Sequence, residues 1–279
     1  MNGFVMTEVY EKLLIGVYQF HLVTADQICR LHWSPGSITM VKARLKTLVD
    51  NGYLLADKVP SKKPQSPYYY TLATGGMNYL KGEGYDIPPS MRSAKEQDKQ
   101  PTHITHTIEL NDVIIAARLL GQQSDIYWLE RFIHERELKQ PKYKYDVVPD
   151  ALFEFRMNSP EGKQRRATIL LEHDCATEHI NAFKPRIRAY VKMLKAEAQR
   201  DLYGAGKVRI AFTTSKGENH RDKLVRWTKE ELTESRQLQA YGGAFYFTNL
   251  APPLDPKILW LEPVWKTLYM NEQCSLLAG

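Results

Sequence analysis

A chain of 279 residues with 43% hydrophobic and 25% charged side chains can bury a sizeable core in one or two globular domains, and its net charge of +6 favours a polyanionic partner. No apolar run reaches the roughly 18 residues that a membrane span requires, the N-terminus lacks the organisation of a signal peptide, and three scattered cysteines are too few for a disulfide framework. These features exclude an integral membrane protein and a disulfide-stapled secreted domain, and they predict a cytoplasmic protein with no membrane partner.

The first part of the chain is predicted to form three helices and a β-hairpin. Apolar residues recur at helical spacing in three segments, which are residues 7–21, 24–31 and 37–50. Thr24 and Gln27 form a capping-box pattern at the start of the second helix, and Ser37 is expected to cap the third. Two strand patterns follow, over residues 53–59 and 68–72, and a further helix starts at Thr74.

The order of helix, helix, turn, helix and hairpin resembles the winged helix-turn-helix family over residues 6–81. The resemblance implies that the third helix enters the major groove of double-stranded DNA with its first residues at the base edges. The expected base-reading residues are Ser37, Thr39 and Lys42. The expected phosphate contacts are Arg44 and Lys46 on the same helix and Lys58, Lys62 and Lys63 on the wing. The alternative is a winged helix that docks a protein, on which the same lysines only keep the surface hydrated.

A polar, proline-containing segment predicts the boundary between two domains. We expect a DNA-binding domain over residues 1–85, a linker over 86–101 and a second domain over 102–279. A helix is predicted from residue 102 to 120, with His106 and Glu109 near its start.

Strands and helices alternate in the second domain, which predicts an α/β sheet with helices on its faces and an α+β organisation for the whole chain. The strand patterns cover residues 126–132, 148–155, 167–174, 208–213 and 244–248. The helix patterns beyond residue 120 cover residues 180–194 and 220–232.

Acidic residues occur at the ends of two predicted strands, where burial should have excluded charge. Asp150 lies at the start of one strand, and Glu172, His173 and Asp174 follow the apolar run of the next. A strand has a side-chain period of two, so Glu172 and Asp174 share one side and His173 takes the other. If the two strands pair, Asp150 lies beside Glu172, and the acids meet at the rim of a core.

The helix after these acids carries a lysine on its apolar stripe. Lys184 lies four residues after Ile180 and three before Ile187, which are inward positions. A buried lysine is costly unless it is paired, so we expect Lys184 to converge on the acids. Pro185 is expected to kink the helix or to restart it.

Pro149-Asp150, Glu172-x-Asp174, Lys184 and Tyr190 together resemble the PD-(D/E)xK restriction-endonuclease-like core. Within it they resemble the bacterial replication-relaxation proteins and MobC-type plasmid relaxases, over residues 103–249. The resemblance implies a mixed sheet flanked by helices, in which Asp150, Glu172 and Asp174 hold Mg²⁺ or Mn²⁺. The usual lysine position is occupied by Asp174, and branches with a displaced lysine nominate Lys184 as the residue that steadies the phosphate or polarises water.

Two further ligand sets compete with this interpretation. In endonuclease-like families the helix before the core often supplies an acid, which makes Glu109, with His106 near it, an accessory site; a solvated glutamate in a first turn is the plainer alternative. A zinc site around His173 and Cys175 is disfavoured, because alternation turns both away from Glu172 and no second Cys/His pair is present.

The preferred hypothesis is a DNA-binding plasmid or mobile-element protein that acts at an origin sequence as a metal-dependent, relaxase-like nicking endonuclease. The alternative is a non-catalytic origin-binding accessory factor for replication, copy control or mobilisation, with a degenerate nuclease site. A third hypothesis is a transcriptional regulator whose second domain senses a ligand. The expected partners are double-stranded DNA, replication or conjugation proteins, and a second copy of the chain.

Overall fold

The computed structural model describes residues 4–61, 65–88, 91, 99–140, 147–158, 163–176, 179–196, 207–251, 253–269 and 272–277. The chain divides into two compact units, Met1–Asn111 and Asp112–Gly279. This division falls inside a long helix, later in the chain than the predicted linker over residues 86–101. The predicted wing residues Lys62 and Lys63 lie outside the described residues.

The first unit contains helices followed by a small sheet. Its helices are α1 (Glu8–Phe20), α2 (Ala25–His32), α3 (Ile38–Asp50) and α4 (Thr74–Gly82), and its strands are β1 (Val23–Thr24), β2 (Leu54–Lys58) and β3 (Tyr68–Leu72). The strands form an antiparallel sheet in the order β1-β3-β2. The helix and hairpin order therefore follows the sequence pattern.

Of the two helix caps that the sequence predicted in this unit, one is confirmed and one is wrong. The Thr24 hydroxyl accepts a hydrogen bond from Gln27 N at 3.2 Å, and Gln27 Oε1 accepts one from Thr24 N at 3.1 Å, which confirms the capping box. The cap expected from Ser37 is wrong. A short 3₁₀ turn, Pro35–Ser37, leads into α3, so Ser37 has a helical backbone instead of the extended one that capping requires.

The long helix α5 (Pro101–Gln123) begins in the first unit. Ile104 packs in an apolar cluster with Leu22 and Tyr69. Asn111 donates hydrogen bonds from its side-chain amide to the carbonyls of Phe20 and Leu22, at 3.1 and 2.7 Å. These contacts explain why residues just after the predicted linker belong to the first unit.

The second unit is built on a six-stranded mixed sheet in the order β4-β5-β6-β7-β8-β9. The strands are β4 (Tyr127–His134), β5 (Ala151–Asn158), β6 (Gln164–His173), β7 (Lys207–Thr213), β8 (Phe245–Thr248) and β9 (Lys266–Thr267). The pairs β6–β7 and β7–β8 are parallel, and the remaining pairs are antiparallel. The helices of this unit after α5 are α6 (Glu135–Leu138), α7 (Ile180–Lys195), α8 (Glu218–Glu234), α9 (Leu238–Tyr241) and α10 (Pro256–Leu261). The predicted α/β class is confirmed.

Helices α7 and α8 contribute to one apolar core together with the central strands. Phe183 and Ile187 of α7 and Leu224 of α8 are buried there against side chains such as Leu170 and Phe212. Pro185 does not restart α7, which is a single helix, and its exposed position lets water satisfy the carbonyl that loses a partner. The core thus fixes α7 and α8 beside the ends of β6 and β7.

Candidate functional site

The strand directions bring the three predicted acids to the same end of the central strands. Strands β6 and β7 are parallel and end together, with His173 opposite Thr213. Strand β5 runs the other way, with Ala151 opposite Leu171, so Asp150 directly precedes β5 at the edge where β6 ends. We call Asp150, Glu172 and Asp174 the rim acids.

Glu172 is 4% exposed and is held by two residues of α7. Its Oε1 accepts a hydrogen bond from the Tyr190 hydroxyl at 2.5 Å, and its Oε2 accepts one from Arg186 Nη1 at 3.1 Å. Burial raises the pKa of Tyr190 well above its ordinary value, and the negative charges of Glu172 and Asp150 raise it further. Tyr190 therefore remains a protonated donor to the carboxylate at neutral pH.

Asp150 is anchored to the backbone next to Glu172. Its Oδ2 accepts a hydrogen bond from His173 N at 2.8 Å, and its carbonyl accepts one from Glu135 N at 2.9 Å. The His173 ring lies 3.0 Å from the Thr213 hydroxyl, measured from Nδ1 to Oγ1. The charges of Asp150 and Glu172 both raise the pKa of Tyr190, so the two carboxylates lie near the same hydroxyl.

Asp174 is satisfied on only one of its two oxygens. Its Oδ1 accepts a hydrogen bond from Ala176 N and lies 3.0 Å from Nε2 of His220, in the first turn of α8. Its Oδ2 is buried and has no hydrogen-bond partner among the described residues, and the whole residue is only 7% exposed. A buried carboxylate oxygen without a partner is costly, and a bound cation would remove that cost.

The structure does not bring Lys184 to the rim acids. Lys184 Nζ donates to both carboxylate oxygens of Glu234 on α8, at 3.1 Å each. An α-helix turns by about 100° per residue, so Lys184 and Arg186 flank the stripe of Phe183 and Ile187 on opposite sides. Arg186 faces the sheet edge and supplies the cation that the sequence assigned to Lys184.

Sequence reasoning missed two residues of this site. Arg186 lies four residues before Tyr190, which places both on one helix face and was a readable signal. His220 had no such signal, because only the fold brings the start of α8 to the end of β6.

The predicted DNA contacts lie on α3 and β2 of the first unit. Thr39, Lys42 and Lys46 are exposed on α3, and Ser37 and Arg44 are partly buried. Lys46 also pairs with Asp50 at 2.6 Å, an exposed pair of small energetic weight. Lys58 is exposed on β2. The described residues thus include an exposed basic face on α3.

The accessory residues His106 and Glu109 are partly buried on α5, in the part of that helix that belongs to the first unit. Their predicted role stays a prediction. None of the helices in the described ranges has both the length and the apolar composition needed to cross a membrane.

Comparison with known proteins relates this arrangement to one family. Searches of curated proteins and of solved structures gave no match. The model of the replication-relaxation family matches residues 14–208, which is well over half of the chain. This match covers the first unit from the second half of α1 onwards and, in the second unit, the rim acids with α7. The chain therefore belongs to the replication-relaxation family and has a role related to the replication or relaxation of plasmid or mobile-element DNA.

Proposed function

We propose that the protein binds double-stranded origin DNA through its first unit and nicks it with a metal-dependent site at the rim acids. The first half of this proposal is supported by the element order of the first unit, which is that of a winged helix-turn-helix. In that arrangement α3 enters the major groove. Thr39 and Lys42 lie exposed near the start of α3, where base contacts are made, and Lys46 lies one turn later.

DNA binding is tested by replacing the two exposed lysines of α3. Lys42→Ala with Lys46→Ala should weaken binding to duplex DNA and should lower the slope of log affinity against log salt by about 1 for each lost phosphate contact. Lys81→Ala, an exposed lysine at the end of α4, is the matched control. Unchanged affinity and slope in the double variant would show that α3 is not the DNA-reading helix.

The observation that carries the nicking proposal is the buried, unpartnered Oδ2 of Asp174, at the sheet edge that Asp150 and Glu172 share. Hard divalent cations prefer carboxylate oxygens, so the donor set fits Mg²⁺ or Mn²⁺. The rim acids would hold the ion, which supplies Lewis acidity and an activated water when it is bound.

Three further residues of the site, Arg186, Tyr190 and His220, would bind the phosphate or hold the carboxylates in place. Arg186 is one-third exposed and reaches from Glu172 towards solvent, where a DNA phosphate would meet it. A guanidinium at this place neutralises the charge of a phosphate. It also frees Glu172 to bind a metal ion, because the ion would replace Arg186 as the positive partner of the carboxylate. The Tyr190 hydroxyl donates a hydrogen bond to Glu172 and holds the carboxylate in place. Nε2 of His220 lies 3.0 Å from one carboxylate oxygen of Asp174 and holds that oxygen in a similar way.

A plasmid-relaxation assay tests the proposal. Supercoiled plasmid that carries the cognate origin is incubated with protein and Mg²⁺ or Mn²⁺, and conversion to the open circle is measured. Asp174→Asn and Asp150→Asn should abolish nicking while duplex affinity is kept. Arg186→Ala should slow it by about 10²–10³-fold, the effect of removing one group that stabilises developing charge. Glu230→Gln, an exposed acid on α8, is the control and should nick normally.

Lys184→Ala separates the structural assignment from the sequence-based one. Because Lys184 is paired with Glu234, its replacement should leave the nicking rate unchanged. A loss of nicking in Lys184→Ala as large as in Arg186→Ala would contradict the assignment of Arg186.

A non-catalytic origin-binding accessory factor is the second candidate. Both carboxylate oxygens of Glu172 accept hydrogen bonds from residues of α7. This supports the second candidate, because these partners occupy the oxygens that a metal ion would need. In that case the Glu172–Arg186–Tyr190 cluster is a structural ion pair. Duplex binding by the wild type without nicking in either metal would establish this candidate and overturn the first.

A further inference from the structure

A cavity with features of a ligand site lies along β4, the edge strand of the sheet in the second unit, and none of the rim acids lines it. It has a volume of about 390 Å³ and is lined by Arg118 and Gln122 of α5 and by residues 128–132 of β4. We call it the edge pocket. Its volume falls in the lower part of the range of small-ligand sites, which is roughly 300–1,000 Å³.

The charges at the edge pocket favour an anion. Arg118, Glu130 and Arg131 line it. Glu130 is bridged by Arg156 and Arg166, which lie outside the lining, at 3.4 and 3.2 Å. Glu154 pairs with Arg131 at 3.5 Å. Among these six residues, four cations face two anions, so the pocket carries a positive local charge and attracts negatively charged groups.

The pocket also presents an ordered aromatic surface. Trp128 is partly buried at its wall, and the Arg156 guanidinium lies 5.4 Å from the centre of its ring. On the other face of the sheet, Arg118 lies 5.8 Å from the centre of the Phe132 ring. The contact with Arg156 holds the Trp128 ring in place, so an entering planar ring would stack on the side of Trp128 that faces away from Arg156.

The main chain of β4 supplies polar groups that could read a base. Consecutive residues 128–132 line the cavity, so the pocket follows the outer backbone of β4, which is the edge strand of the sheet. A partner strand is a poor occupant of this edge. The pairing register shifts between Leu129 and Arg131, and charged side chains follow at the bulge; both are features that block strand addition.

We infer that the edge pocket binds one unpaired nucleotide of single-stranded DNA. Trp128 stacks on the base, the main chain of β4 and Gln122 contact its edge, and Arg118 and Arg131 contact the phosphate. A duplex cannot offer this ligand, because its bases are stacked and paired. The site is separate from the rim acids and needs no metal, so it can fail without affecting the nicking proposal.

The test uses the full-length protein and a fluorescein-labelled oligothymidylate of about ten nucleotides, a length within the range of single-strand sites. Chelator removes divalent ions, and excess unlabelled duplex occupies duplex-binding sites. Anisotropy gives the affinity. Trp128→Leu should weaken it about five- to a hundredfold, the effect of one lost stacking contact. Trp128→Phe should keep most of it. Arg131→Gln should weaken it, and Arg165→Gln, an exposed arginine of β6 outside the pocket, should not.

Two results would overturn the inference. One is an affinity that is the same in the wild type, Trp128→Leu and Arg131→Gln. The other is displacement of the oligothymidylate by inorganic pyrophosphate with no effect of Trp128→Leu, which would define a simple anion site. Quenching of tryptophan fluorescence by the oligonucleotide in the wild type, and its loss in Trp128→Phe at similar affinity, would support stacking on Trp128.

Discussion

Glu172 lies at the end of β6 and Asp174 directly after it, yet the environments of the two carboxylates differ. The carboxylate of Glu172 faces α7, and each of its oxygens has a donor, from Tyr190 or Arg186. The carboxylate of Asp174 faces the start of α8, where His220 and a backbone amide share one oxygen and the other has no partner among the described residues. One acid is saturated by the protein and the other is only half satisfied.

This difference separates an acid that must exchange its partners before it binds an ion from one with a carboxylate oxygen still open to a ligand. A saturated buried carboxylate contributes to stability, and its partners must be displaced before it can bind anything else. A half-satisfied carboxylate is a cost in the free protein that a cation can remove. Substitutions at the partners of Glu172 should therefore lower stability, whereas a substitution at Asp174 should change the response to metal ions.

The largest effect on stability is expected from Arg186, the ion-pair partner of Glu172. Removing one partner of a buried ion pair costs about 3–5 kcal/mol, and because Arg186 is 33% exposed we expect Arg186→Met to lower the free energy of unfolding by about 3 kcal/mol. Urea unfolding measures the change. Arg226→Met removes an exposed arginine from a surface pair with Glu230 and should cost less than about 0.5 kcal/mol. Equal losses in both variants would show that Glu172 does not depend on Arg186.

A smaller loss is expected from the tyrosine. Tyr190→Phe removes the donor to Glu172 Oε1 and should lower stability by about 1–3 kcal/mol at neutral pH, the cost of an unsatisfied buried acceptor. Tyr68→Phe, at a half-exposed tyrosine, is the control and should have little effect.

The same variant gives a pH signature. The pKa of Tyr190 is raised in the folded protein, so its contribution is fully present below the unfolded-state pKa, near 10, and is lost as pH rises towards the folded value. The stability difference between wild type and Tyr190→Phe should therefore shrink by up to about 1.4 kcal/mol per pH unit above pH 10. A difference that stays constant from pH 9 to pH 11 would rule out the raised pKa.

The smallest effect on stability is expected at the half-satisfied acid. Asp174→Asn keeps an acceptor for His220 and removes an unpaired buried charge, so stability without metal should change by less than about 1 kcal/mol or should increase. The metal response should disappear. A bound ion at a hundred times its dissociation constant stabilises the wild type by about 2.7 kcal/mol, and thermal unfolding with and without Mn²⁺ measures this gain. An equal gain in Asp174→Asn would remove Asp174 from the metal site.

The sequence predicted the strand ends of this site better than its helices. An apolar run that stops abruptly at Glu172 indicates the end of a buried strand, and alternation then fixes which side the acid takes. These are local signals, and the rim acids came from them. The sequence left the pairing of β5 with β6 as a condition, and the structure meets it.

The choice between Lys184 and Arg186 shows where such reasoning stops. Helical periodicity placed Lys184 on the apolar stripe of α7. Lys184 and Arg186 lie on opposite flanks of that stripe, and only the packing of α7 on the sheet decides which flank faces the acids. His220 depends on a contact between the start of α8 and the end of β6, which no local pattern contains. The cap at Ser37 failed because a 3₁₀ turn competes with the extended conformation that capping needs.

The parallel pairing of β6 with β7 has a consequence for the order in which the residues around the rim acids come together. Parallel neighbours require a crossover, here through α7, and His220 is supplied only by the helix after β7. Contacts between residues this distant in the chain slow folding, because a long loop must close before they form. A chain still emerging from the ribosome, or one cleaved before α8, therefore carries Asp174 without its partner His220.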